Sequence, residues 1–137
     1  MSKILEVVEN DKNLSLLIKG VKAVGLEEIL DGPGPFTVFA PTDHAFKKLP
    51  EGEFENLVKP ENKVRLSDIL NYHVVRGKTN AKQFSDGQRL KTVNGEIIRI
   101  SIKEDIIRIN NAKMQTRDIE ASNGIIHYVD TVVMPAV

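Results

Sequence analysis

Apolar residues in the first thirty positions recur at helical spacing. Ile4, Leu5 and Val8 fall on one face, and Leu14, Leu17, Ile18, Val21 and Val24 make a second stripe. The spacing predicts two helices, with Asp11 or Asn13 capping the second and Gly25 ending it. Leu26 to Leu30 add one further turn. Asp31-Gly32-Pro33-Gly34-Pro35 is a rigid break. Phe36-Thr37-Val38-Phe39-Ala40 follows, a run of strand formers stopped by Pro41, and reads as a buried strand. Thr42 stands where an N-cap belongs, and Asp43 lies in the first turn, where the positive helix end favours a carboxylate. The short helix it opens carries Ala45, Phe46 and Leu49 and should end before Pro50. Residues 61 to 72 read as a longer helix. Leu66, Ile69, Leu70 and His73 stand at i, i+3, i+4 and i+7, so His73 falls on or just past its apolar face.

The second half changes period. Ile98, Ile100 and Ile102 alternate with Arg99, Ser101 and Lys103, and after Glu104-Asp105 the pair Ile107 and Ile109 flanks Arg108. A period of two predicts a β-hairpin with one buried face. Asn94-Gly95 and Asn123-Gly124 are turn dipeptides, and residues 124 to 133 read as two more short strands. Helices early and strands late indicate an α+β fold rather than alternating β/α units.

The chain has 137 residues and no cysteine, a length that suits one domain spanning 1–137. Hydrophobic residues make up 41%, enough with the glycines for an ordinary core that needs neither metal nor disulfide. The 19 basic and 19 acidic residues balance. That balance points away from a dedicated nucleic-acid binder, which needs a surplus of Lys and Arg. No apolar run is long enough for membrane insertion. Glu6, Glu9 and Asp11 interrupt any signal-peptide pattern, so the protein either has no leader or its leader is absent from this chain.

Charge is distributed unevenly. Residues 76 to 117 carry ten basic against four acidic side chains. In the predicted hairpin Arg99, Lys103 and Arg108 project from the solvent face, with Lys91 and Lys113 nearby. Two readings follow: solvated sheet surface that discourages edge pairing, or a weak site for an acidic polymer such as an anionic glycan.

Catalytic signatures are missing. The chain has no phosphate-cradling glycine loop, no Gly-x-Ser-x-Gly elbow and no His-Glu-x-x-His. His44, His73 and His127 lack metal-ligand spacing. His73 is expected to be buried and hydrogen-bonded at a helix end, and His127 to be a satisfied strand residue. Asn13-Leu14-Ser15 is a glycosylation sequon within a helix start. No catalytic residue, metal or cofactor is expected.

Three segments together resemble a fasciclin-type domain. They are Gly34-Pro35-Phe36-Thr37-Val38-Phe39-Ala40-Pro41-Thr42-Asp43-His44-Ala45-Phe46, then Ile69-Leu70-Asn71-Tyr72-His73-Val74, then Asn123-Gly124-Ile125-Ile126-His127-Tyr128-Val129-Asp130-Thr131-Val132-Val133. They occur in the family's order and spacing. The resemblance covers residues 1 to about 135 and implies an α+β fold of two small sheets forming a wedge or sandwich, with several helices alongside. It also implies a non-catalytic adhesion or interaction module, secreted or displayed at a cell surface, with a cytoplasmic location as the alternative. The implied partner is a cell-surface or matrix protein or glycan, and the expected state is a monomer. In an animal branch of the family, integrin contacts are attributed to an Asp-Ile pair before the last segment and to the Tyr-His segment. The matching positions are Asp118-Ile119 and Tyr72-His73. The flanking Arg117 and Glu120 depart from that animal pattern, and a buried His73 would hold the fold instead of touching a partner. On this reading Asp118→Ala alters stability little.

Overall fold

The computed structural model describes residues 3–133. Its helices are α1 (Ile4–Glu9), α2 (Ser15–Val24), α3 (Glu27–Leu30), α4 (Asp43–Lys47), α5 (Glu53–Leu57) and α6 (Lys63–Asn71). The strands are β1 (Phe36–Pro41), β2 (Val74–Arg76), β3 (Arg89–Lys91), β4 (Ile97–Lys103), β5 (Ile106–Ile109), β6 (Ala112–Lys113), β7 (Ile119–Ala121) and β8 (Gly124–Val129). The strands form two four-stranded sheets, ordered β2-β1-β8-β7 and β3-β4-β5-β6. In the first, β1 and β8 pair in parallel, from Phe36 opposite Gly124 to Pro41 opposite Val129. The second is antiparallel throughout. Isolated bridges Val75–Thr92 and Met114–Val129 join the sheets.

Three layers result. Phe36, Val38 and Ala40 of β1, with Ile126 and Tyr128 of β8, pack into a core shared with Leu17, Val21, Leu66 and Leu70 of the helices. Phe39 and Val129, on the alternate faces, join Ile98, Ile100, Ile107 and Ile109 of the second sheet. The first sheet is therefore covered on both sides, and every residue of β1 and β8 is buried. That two-sided cover explains why Phe36-Thr37-Val38-Phe39-Ala40 shows no polar alternation. The second sheet has one buried face, and its sequence alternates accordingly.

Local chemistry sets the ends of these elements. Asp11 Oδ1 accepts from Asn13 N–H and opens a 3₁₀ turn over Lys12–Leu14. The start of α2 is instead held from α4. Asp43 Oδ1 accepts from Leu16 N–H at 2.8 Å, and Asp43 Oδ2 accepts from Ser15 Oγ at 2.6 Å. Gly25 ends α2 with φ +73°, a left-handed conformation that glycine adopts without strain. Thr42 Oγ1 caps α4 by accepting from Ala45 N–H. The helix closes at Lys47, so Leu49 lies beyond it in a 3₁₀-type turn donated to Phe46. Pro60–Asn62 form a separate 3₁₀ turn before α6. Residues 124 to 133 give one strand, not two. Past Val129 the backbone is claimed by other partners: Asp130 N–H donates to Lys113 and Val133 N–H to His73.

Asn123 holds the first sheet to the N-terminal helices. Its Oδ1 accepts from Ile4 N–H, an orphan donor of the α1 start. Its Nδ2 donates to the Leu30 and Gly32 carbonyls, each at 2.8 Å. Its backbone carbonyl accepts from Phe36 N–H. The Asn123-Gly124 turn is thus also a buried clasp. Gly124 follows because a Cβ there would overlap the Phe36 carbonyl oxygen in the parallel pairing.

Candidate functional site

Tyr72 and His73 close α6. His73 is 2% exposed, and both ring nitrogens are engaged inside the protein. Nε2 accepts from Val133 N–H at 3.0 Å, so the proton resides on Nδ1, which donates to the Ile69 carbonyl at 2.8 Å. Burial pushes the imidazole down to about 4, against the smaller upward effect of the Ile69 bond. The neutral ring fastens α6 to the segment after β8 and offers no polar atom to a partner. Tyr72 is also buried, but it lines a surface concavity. Its hydroxyl donates to the Ile97 carbonyl and accepts from Asn110 Nδ2, both at 2.9 Å.

Asp118 and Ile119 lie apart from that pair, at the edge strand β7. Asp118 is exposed, and its backbone is left-handed at φ +57°. Its Oδ1 accepts from Ala81 N–H at 2.8 Å, pinning the start of the Ala81–Gln83 turn. Its N–H donates to His127 Nδ1, and His127 Nε2–H donates to the Thr79 carbonyl at 2.9 Å. His127 therefore carries its proton on the opposite nitrogen from His73. Burial lowers its pKa, outweighing the Thr79 bond and the Asp118 charge. Its ring packs on Phe39 and Phe84 with centroids 5.9 and 5.5 Å away. Ile119 is half-buried against the helical core. Asp118 thus also makes a structural bond that the sequence did not disclose, so its removal is expected to affect the fold as well as any contact. The nearby Thr37 hydroxyl donates to the Gly77 carbonyl and accepts from Thr79 N–H, so it ties down this loop and caps no helix.

The basic residues occupy the outer face of the second sheet. Arg99 and Lys103 are exposed and Arg108 half-buried, and Arg89, Lys91 and Lys113 share their face. None of the six makes an ion pair among the described residues. Glu96, Glu104 and Asp105 flank the strands in turns, as does Asp86, whose Oδ1 accepts from Ile102 N–H. Arg89 stands opposite Arg99. Both, with Tyr72, Ile97 and Asn110, line an open concavity of about 470 Å³. Tyr72 of the Tyr-His segment and Arg99 of the basic strip are thus neighbours in space. Arg89 and Asn110 were missed as site residues, because the three-residue β3 is too short to show a period and Asn110 reads as an ordinary turn residue. Among the described residues no three His, Asp or Glu side chains converge to hold a metal, and no helix is long and apolar enough to cross a membrane.

Comparison with known proteins adds four findings. The family model described as Fasciclin domain matches residues 12–135. Protein sll1483 of Synechocystis sp. is 44% identical over 96% of this chain and 73% of its own length. The cell surface glycolipoprotein MPB83 of Mycobacterium bovis is 36% identical over 82% of the chain, which spans 49% of that protein. Among solved structures, a FAS1 domain pair from the insect cell adhesion molecule fasciclin I superposes with a TM-score of 0.86. The match has 22% identity and covers 98% of this chain and 51% of that one.

Proposed function

This chain belongs to the fasciclin family, and from that premise we propose that it is a non-catalytic interaction module, acting at a cell surface or in an extracellular matrix. The observation that carries the reading is the family match itself, which runs over residues 12–135. The similarity to a cell adhesion molecule and to a cell surface glycolipoprotein supports the location. Within the module the Asp118-Ile119 edge is the protein-contact candidate. Asp118 is exposed and immediately precedes the edge strand β7, with a left-handed backbone. The proposed working unit is the single chain.

Cell binding by the purified chain tests this, with wild type beside Asp118→Asn at low and physiological salt. Asparagine keeps the oxygen that Ala81 needs and tolerates positive φ, so the variant removes charge without releasing the loop. Salt-insensitive binding that disappears in the variant supports a protein receptor at this edge. Binding that is intact in the variant removes Asp118 from the contact. Absence of binding by the wild type would overturn the adhesion reading.

A further inference from the structure

We propose that the outer face of the second sheet is a binding track for an acidic polysaccharide, centred on the concavity formed by Tyr72, Arg89, Ile97, Arg99 and Asn110. This goes beyond the protein contact proposed above and uses a different sheet.

The argument starts from register. Thr92 N–H donates to the Glu96 carbonyl and Ile100 N–H to the Gln88 carbonyl. Arg89 and Arg99, between those bonds, therefore face each other at a non-hydrogen-bonded position, where cross-strand side chains come closest. Arg108 and Lys113 occupy the equivalent position on the other side of the sheet. Met114 N–H donates to the Ile107 carbonyl one step away. Like charges directly opposite each other oppose pairing. Here two such pairs stand on one face, and no carboxylate is ion-paired to either among the described residues. An anion placed between the members of each pair would relieve that repulsion.

The concavity is also preorganised. Asn110 Oδ1 accepts from Arg99 N–H, and its Nδ2 donates to the Tyr72 hydroxyl, which is anchored on Ile97. The floor therefore keeps its shape before a ligand arrives, which lowers the cost of binding. Ile97, 49% exposed, supplies an apolar wall beside two guanidinium groups. A sugar ring with an apolar C–H face and a carboxylate or sulfate substituent matches that combination, and guanidinium recognises both anions with paired donors. Strands lie about 4.8 Å apart and alternate residues about 7 Å apart, so the six cations form a lattice that a linear polyanion can follow. Single-stranded nucleic acid is a poorer fit, because no aromatic ring stands free on this face for bases to stack on.

The test measures binding of the full chain to immobilised heparin, a sulfated glycan. It compares wild type, Arg89→Gln/Arg99→Gln, Arg108→Gln/Lys113→Gln and Lys59→Gln/Lys63→Gln, which all remove two charges per variant. The last pair is exposed on the helical side. The arginine variant should lose about tenfold in affinity, the sheet-edge variant about threefold, and the helical control less than about twofold. Thermal melting of each variant at the wild-type temperature separates lost binding from lost fold. Equal losses in all three variants would overturn the proposal, since only total charge would then matter. Absence of wild-type retention at low salt would overturn it as well. Displacement by duplex DNA or anionic vesicles as effective per charge as by free heparin would overturn the assignment to a polysaccharide. None of these outcomes bears on the Asp118 edge, which has its own variant.

Discussion

The two sheets have the same number of strands and opposite surroundings. Helices cover one face of the first sheet and the second sheet covers the other, so β1 and β8 are buried along their whole length. The second sheet buries isoleucines inward and shows cations outward. Buried polar residues in and next to the first sheet, Thr37, His127 and Asn123, each have partners within the protein, as buried polar groups require. The segments that carry the family resemblance are thus mostly fastenings. The contact candidates argued above sit instead at the edge of the first sheet and on the open face of the second.

Removing a fastening should cost the most. Asn123→Ala leaves the buried Ile4 N–H and Leu30 carbonyl, and the half-buried Gly32 carbonyl, without their side-chain partner, and about 3 kcal/mol should be lost. Urea unfolding measures it, and a loss below about 1 kcal/mol would reduce the clasp to an ordinary turn. Acid comes next. The ring of His73 stays neutral in the folded protein down to about pH 4, whereas in the unfolded chain it takes up a proton near 6.5. Between those values the unfolded state binds more protons, so stability falls as pH falls and is fully reduced below 4. The drop is on the order of 3 kcal/mol, with a further contribution of the same sign from His127. Unfolding curves between pH 7 and 4 report it. His73→Gln should flatten them, and a flat wild-type profile would contradict the buried neutral ring.

Smaller effects sharpen the contrast. Asp118→Ala should cost about 1–2 kcal/mol by freeing Ala81 N–H and placing alanine at positive φ. Asp118→Asn should stay within about 0.5 kcal/mol of wild type. Equal melting of the two variants would show that the Ala81 bond contributes nothing. On the second sheet Arg89→Gln/Arg99→Gln should leave stability unchanged or raise it by up to about 0.5 kcal/mol, because a like-charge pair is removed. A clear loss there would make the arginines part of the fold.

Much of this was legible in the sequence where one element decides the outcome. The stripe Leu14 to Val24, the Thr42 cap and the Ile98–Ile109 hairpin depend on local period and short-range hydrogen bonds, and they appear where expected. Burial of His73 followed from helical spacing alone. What stayed hidden joins distant parts of the chain. Asp43 caps a helix 27 residues earlier, Asn123 one 119 residues earlier, and Asp118 holds a loop 37 residues away. No pattern in a single sequence encodes such pairings. The Arg89–Arg99 juxtaposition was hidden for the same reason, since it exists only in the sheet register.

The clasps at Asn123 and His73 also have a mechanical side. Asn123 grips the chain at Ile4 and His73 grips it at Val133, near the two ends of the described fold. Tension entering at Ile4 passes through one side chain to Leu30, Gly32 and the start of β1. Tension entering at Val133 passes through one imidazole to α6. In a pulled module these two polar fasteners would share the load with the buried packing of Ile4 and Val133 ahead of the parallel central pair. Acid below about pH 4, by protonating His73 Nε2, would remove one grip and leave the other at full strength.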